Sequence, residues 1–232
     1  MLNLLTAEFY KLFHSRYFWG IAAFNLLLSS VLLLDSIGET TSLFFASLYN
    51  VPILYFLAIV FSALFVGNDL GQRTLQSYVN AGHMREQVLL VKLLVYQIAC
   101  MMILALPLLV HGWIGRFFSN ETFSNVDSSF ITVVTIVVSL FAMCLLPFFF
   151  AFLFRDIGKT LAVPMTLFFL MIFFMNGDQA LVISQILPIG QLRLIALQQL
   201  TSSMGQFVLT DFLWIFFLCF GTYWGFRRFD LK

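Results

Sequence analysis

Long runs without a single Asp, Glu, Lys or Arg constrain this chain more than any other feature. Five occur, at 17–34, 40–68, 93–115, 128–154 and 160–177, and a sixth, 207–226, is interrupted only by Asp211. A helix that spans a bilayer needs roughly 20 mostly apolar residues, so the pattern predicts six transmembrane helices. Helices are required because lipid cannot satisfy exposed backbone groups, and no run shows the apolar/polar alternation of a barrel strand. Composition agrees: 61% of the residues are hydrophobic and 10% charged, where soluble domains have roughly 45–50% and about 25%. The first run lacks a small-residue cleavage site and is read as a span, not a signal peptide.

Orientation follows from Lys and Arg. With the N-terminus inside, Lys11, Arg16, Arg73, Arg85, Lys92, Arg155, Lys159, Arg227, Arg228 and Lys232 fall on the cytoplasmic side, and only Arg116 and Arg193 fall outside. The positive-inside rule then predicts a multi-pass protein of the cell membrane with both termini cytoplasmic. The net charge of +1 says nothing for nucleic acid, and none is expected as a partner. Cys100, Cys144 and Cys219 lie far apart in apolar runs and read as buried thiols, not a disulfide framework or metal site.

Two stretches are neither spans nor ordinary loops. Residues 1–16 place Leu2, Leu5, Phe9, Leu12 and Phe13 on one helical face, with Glu8, Lys11 and Ser15 elsewhere, which predicts an amphipathic helix on the inner membrane surface. Residues 178–206 are apolar but broken by Pro188, Gly190 and Arg193. They are too short to cross and return, and read as a pair of short outer-face helices, re-entrant if shielded by protein. The fold expected is therefore all-α: a single transmembrane domain, 1–232, with spans at about 17–34, 43–66, 93–112, 129–154, 160–176 and 207–226.

The longest inner connection, 67–92, reads GNDLGQRTLQSYVNAGHMREQVLLVK. A short helix over about 70–81 is predicted, with Asp69 as its capping and dipole-matched N-terminal residue and Gly82 as a left-handed stop. Leu75, Tyr78 and Val79 give it one apolar face. It either touches another protein or pins the loop to lipid.

In this connection the sequence resembles the permease subunits of type-2 ABC exporters. Their pattern is an acidic residue after span two, a threonine five positions later, a glycine-containing turn, an arginine and a lysine opening span three; here those are Asp69, Thr74, Gly82, Arg85 and Lys92. Arg73 departs from the pattern, since many members carry glycine there. The amphipathic start, the outer helices and the ending GFRRFDLK are also similar to the family. The resemblance implies that the loop helix is a cytoplasmic coupling helix seated on a separate ATP-binding subunit, two copies of which act on two permeases, identical or homologous. Asp69, Arg73, Thr74, Leu75, Tyr78, Gly82 and Arg85 would form the coupling surface, with ATP and Mg on the partner and no cofactor on this chain. Among compact permeases, the chain resembles those of peptide-antibiotic export and self-immunity.

The residues themselves offer no chemistry of their own. Gly158-Lys159-Thr160 matches the end of a phosphate-binding loop, but Leu153 occupies the position of its first glycine. No zinc motif, nucleophile elbow or pair of intramembrane carboxylates occurs, so the chain is not expected to be an enzyme. An ion-coupled transporter would place ionisable groups deep in the bilayer. The span centres lack them, and Asp211 reads as an interfacial carboxylate able to reach water; with Pro188 and Arg193 it marks the outer face, where a gate would lie. Asn120-Glu121-Thr122 spells a glycosylation triplet in an outer loop. Thirty phenylalanines suit a hydrophobic or amphipathic cargo, such as an antimicrobial peptide, although phenylalanine facing lipid is the ordinary explanation. A membrane assembly or sensory subunit that transports nothing is the alternative class.

Overall fold

The computed structural model describes residues 2–36, 40, 42–118, 130–177, 180–199 and 203–227. Asn120, Glu121, Thr122, Arg228 and Lys232 lie outside the described residues. Among those described, all regular structure is helical, and six helices are long and apolar enough to cross a membrane. By length and composition this is an all-α, multi-pass membrane protein.

Helix α1 (Leu2–His14) leads through Ser15 into α2 (Arg16–Ser36), and α3 (Leu43–Ser62) follows. Ser42 caps α3, its hydroxyl accepting the Phe45 amide. The second span does not stop where its uncharged run stops. It passes through a π-helical turn (Ala63–Gly67) into α4 (Asn68–Gly71), with the Asn68 amide donating to the Ala63 carbonyl five residues back. Such turns insert a residue into the helix and are common at functional sites. Next come α5 (Thr74–Asn80), the long α6 (Arg85–Phe118), α7 (Phe130–Phe154) and α8 (Ile157–Phe174). The chain closes with two short helices, α9 (Ala180–Ile186) and α10 (Pro188–Ala196), and a last long one, α11 (Met204–Arg227).

Helix α3 is the centre. It packs against α2, α6, α7, α8 and α10, and most of its side chains are buried. Helices α8 and α11 instead leave much of their apolar surface uncovered by this chain. The core is aromatic: Phe61 stacks on both Phe65 and Tyr96, and Tyr96 leans on Phe148. Tyr55 and Tyr96, both buried, donate their hydroxyls to the Met143 and Cys144 carbonyls of α7, at 2.7 and 3.0 Å. Those carbonyls lie one turn ahead of Pro147, which has no amide to offer its own helix.

Of the two short helices α10 is tucked in, whereas α9 buries only Ser184 and leaves Leu181, Val182 and Ile186 exposed. Leu187 is extended, Pro188 opens α10, and apart from half-exposed Arg193 the whole of α10 is buried against α3, α7, α9 and α11. Their close crossing depends on Gly190, since a Cβ there would lie 2.4 Å from the Ser184 Cα. Helix α1 also departs from expectation. Its protein-facing stripe is Leu4, Glu8 and Leu12, set against α6, while Leu2 and Phe13 are exposed. Glu8, placed by the sequence pattern away from the apolar face, is on the buried one.

Candidate functional site

Where α1, α4 and α6 meet, the sequence pattern delivers four charges to one place. Glu8 lies midway between Leu4 and Leu12 at helical spacing, so burying those leucines against α6 carries the carboxylate inward with them. Helix α6 begins at Arg85, so Lys92 lies two turns inside it instead of opening the span at 93. Asp69 arrives through the π-helical turn. Lys92 Nζ contacts Glu8 Oε2 at 2.7 Å and also ion-pairs with Asp69 Oδ2, while Lys11 pairs with Asp69 Oδ1. Lys92 sits 3.7 Å above the centre of the Phe65 ring, an added cation–π contact in a dry place.

Glu8, Asp69 and Lys92 are all buried, and Lys11 is partly open to solvent. Two carboxylates against two ammonium groups leave no net charge. Taking each ion out of water costs several kcal/mol, about what good pairing geometry can offset. The cluster therefore adds little net stability over an apolar core, yet losing any one member leaves an unbalanced charge. It locks α1, the end of the second span and the start of the third into one unit.

Helix α5 stands on this unit. Leu75 is buried beneath it, and Tyr78 turns toward the cluster, where burial and then the Glu8 carboxylate push its phenol up to about 12. The helix is shorter than the predicted 70–81, and Asp69 does not cap it. Asp69 is buried inside the continuing second span, because the helical path through the π turn outcompetes the turn chemistry of Asn68-Asp69. The break falls at Gln72 and Arg73 instead. Arg73 takes the left-handed conformation (φ 59°) at the N-cap and offers no side-chain cap to α5. Gly82 has φ +93° and ends the helix, and the His83 amide bonds back to the Tyr78 carbonyl.

The candidate coupling residues thus divide into two groups. Asp69 and Leu75 face inward and hold the loop, Tyr78 is half-buried, and Arg73 and Gly82 are exposed, as are Gln72, Ser77 and Asn80 beside them, which the resemblance did not single out. Thr74 and Arg85 are half-buried. The adjoining α7–α8 corner closes the same end. Thr160 packs on Gly67, Asp156 caps α8 by accepting the Lys159 amide at 2.9 Å, and Arg155, in the left-handed conformation, is pushed down to about 10 by burial. Its backbone carbonyl lies beside Gly71. Sequence reasoning missed Glu8 and placed Lys92 at an edge. The leucines four residues before and after Glu8 were the available signal.

At the opposite end, Arg193 is half-buried. It donates to the Met175 carbonyl and to Asn176 Oδ1 at the C-terminus of α8 and lies over the Tyr49 ring, a cation where the helix dipole favours one. The expectation that Asp211 reaches water is overturned. It is fully buried, because Phe207, Asp211 and Leu218 share the inward stripe of α11. Its partners are uncharged: Ser139 of α7 hydrogen-bonds Asp211 Oδ2, and Gln191 of α10 joins Ser139 at 3.3 Å. Compared with models of known protein families the chain matches none, and no curated protein matches it.

Proposed function

We propose that the chain is the transmembrane permease subunit of an ABC exporter, driven by ATP hydrolysis on a separate ATP-binding subunit. One observation carries the reading. Helix α5 and the turn before it present an exposed polar face, with Ser77 and Asn80 on the helix and Gln72 and Arg73 in the turn, while the helix's other side rests on the charge cluster. A push on that face reaches α1, α4 and α6 together, because Lys92, Glu8 and Asp69 tie the three. A loop that merely pinned itself to lipid would turn apolar residues outward and would not need a buried four-charge brace.

The bias of Lys and Arg supports placing this end in the cytoplasm, where ATP-binding subunits in two copies would meet two permeases. The uncovered apolar faces of α8 and α11 suit lipid or that second permease. Asp69 enters as a positioning residue within the brace, whereas Arg73 is the charge placed to touch the partner, with a guanidinium able to make several hydrogen bonds at once. Cargo would be amphipathic or hydrophobic, an antimicrobial peptide being one such class, in keeping with the thirty phenylalanines of the chain.

Purification of the chain with its bound proteins, followed by an ATPase assay, tests the division of labour. An ATP-binding subunit should co-purify, hydrolysis should require it, and the contaminant-free chain should show none. Turnover by the chain alone, or a stable complex lacking any ATP-binding subunit, would overturn the reading.

A further inference from the structure

Among the described residues Asp211 is the only buried carboxylate without a basic partner; Glu8 and Asp69 both pair with Lys92. No Lys or Arg occurs in the sequence between Arg193 and Arg227. Of the elements packed against α11, α9 has no charged residue and α10 only Arg193, which is engaged at the end of α8. Helix α7 has none but Cys144 to titrate, and α6 meets α11 at its far end, where Tyr223 donates to Glu86.

A count of protons favours a neutral carboxyl here. Gln191 Nε2 donates to the Gln185 carbonyl at 3.0 Å, which leaves Oε1 as the atom facing Ser139. Three oxygens then stand in a row: Asp211 Oδ2, Ser139 Oγ and Gln191 Oε1. Two hydrogen bonds join them, but the serine hydroxyl supplies one proton. The second belongs on Asp211, which donates to Ser139 while Ser139 donates to Gln191. Asp211 Oδ1 has no hydrogen-bond partner, a modest cost for a neutral carbonyl oxygen and a large one for half of a buried anion. A hard cation is a poorer occupant, since three oxygens fall short of the six or so that such ions ask for.

An open groove at this end is lined by Gln185, Ser203, Gln206, Phe207 and Thr210. Phe207, one of its lining residues, is a buried side chain one helical turn before Asp211 on the same face.

We propose that Asp211, Ser139 and Gln191 form a proton-binding site within the membrane-spanning region, occupied in this conformation and exchanging with the groove past Phe207. Loss of the proton would leave an unpaired anion, so release requires α10 or Phe207 to shift and admit water. The inference does not depend on the exporter reading.

Infrared spectroscopy of the reconstituted chain tests it. At neutral pH the wild type should show a protonated carboxylic C=O band that is lost in Asp211→Asn, is displaced in Ser139→Ala and is unchanged by added sodium or potassium. Phe207→Ala should speed deuteration of that band in heavy water. Isotope labelling of aspartate carboxyls in the wild type supplies an assignment independent of whether Asp211→Asn folds. Absence of a label-shifted C=O band at neutral pH, or its loss on adding sodium, would overturn the proton site. An unchanged deuteration rate in Phe207→Ala would overturn the route.

Discussion

The Asp69 end and the Asp211 end of this molecule both bury carboxylates, and they meet the cost by opposite means. Around Lys92, Glu8 and Asp69 are balanced by two ammonium groups and an aromatic face. Around Asp211 there are only a hydroxyl and an amide. One end keeps its charges and ties three helices with them; the other removes the charge and packs the site under α10. The difference predicts that neutralising a side chain will be damaging at the first end and nearly silent at the second.

Lys92→Met carries the largest expected effect. It keeps the length and apolar stem of the side chain but leaves two buried carboxylates facing Lys11 alone, so a loss of about 3–5 kcal/mol is expected. Thermal unfolding in detergent, followed by loss of the monodisperse peak, reads it directly. A variant as stable as wild type would show that the cluster is not the brace described.

Gly190→Ala comes next. The added methyl would fall 2.4 Å from the Ser184 Cα, against backbone that cannot rotate away, so α9 and α10 must separate at a cost of about 1–3 kcal/mol. The same substitution at Gly205, where an added Cβ meets nothing within 4 Å, is the control and should be near neutral. Equal effects at both positions would mean that the crossing is not tight.

The sharpest contrast is a matched pair. Asp69→Asn leaves Lys11 and Lys92 facing Glu8 alone and should approach the Lys92→Met loss, whereas Asp211→Asn replaces a neutral acid by an amide of the same shape. The asparagine can donate to Ser139 as the acid does, and a change below about 1.5 kcal/mol is expected. Unfolding curves for the two variants, measured side by side, break the comparison if their losses are alike.

These residues also show which parts of the fold were legible in the sequence. Uncharged runs place the six long helices well, because the bilayer constraint acts on composition over whole segments. Helix ends were less legible. The second span continues to Gly71 and the third starts at Arg85, since a helix can carry charged residues past the end of its apolar run wherever they find partners. Local turn chemistry misled at Asp69 for that reason. Glu8 and Asp211 depart from expectation for a common cause: a charged residue ordinarily marks a surface, yet apolar residues at helical spacing flank both. Leu4 and Leu12 bracket the first, and Phe207 and Leu218 the second. What the pattern could not supply was the partner, because Lys92 lies 84 residues from Glu8 and Ser139 lies 72 from Asp211.

The smallest expected effect concerns Arg73, on the exposed rim of the charged end. Its left-handed backbone (φ 59°) strains any residue with a Cβ, by roughly 1–2 kcal/mol, and glycine escapes that strain at some entropic cost in the unfolded chain. Arg73→Gly should therefore raise stability slightly, by less than about 1 kcal/mol, while Arg73→Ala keeps the strain and should change stability little. Both remove the guanidinium. If Arg73 contacts an ATP-binding partner, both variants should bind it less well and stimulate its ATPase less, although one is the more stable protein. If only the shape of the turn matters, Arg73→Gly should keep full stimulation. Co-purification and ATPase rate, read beside unfolding temperature for the two variants, separate these outcomes. Full stimulation in both would remove Arg73 from the coupling surface and leave the brace beneath it without a demonstrated contact to push on.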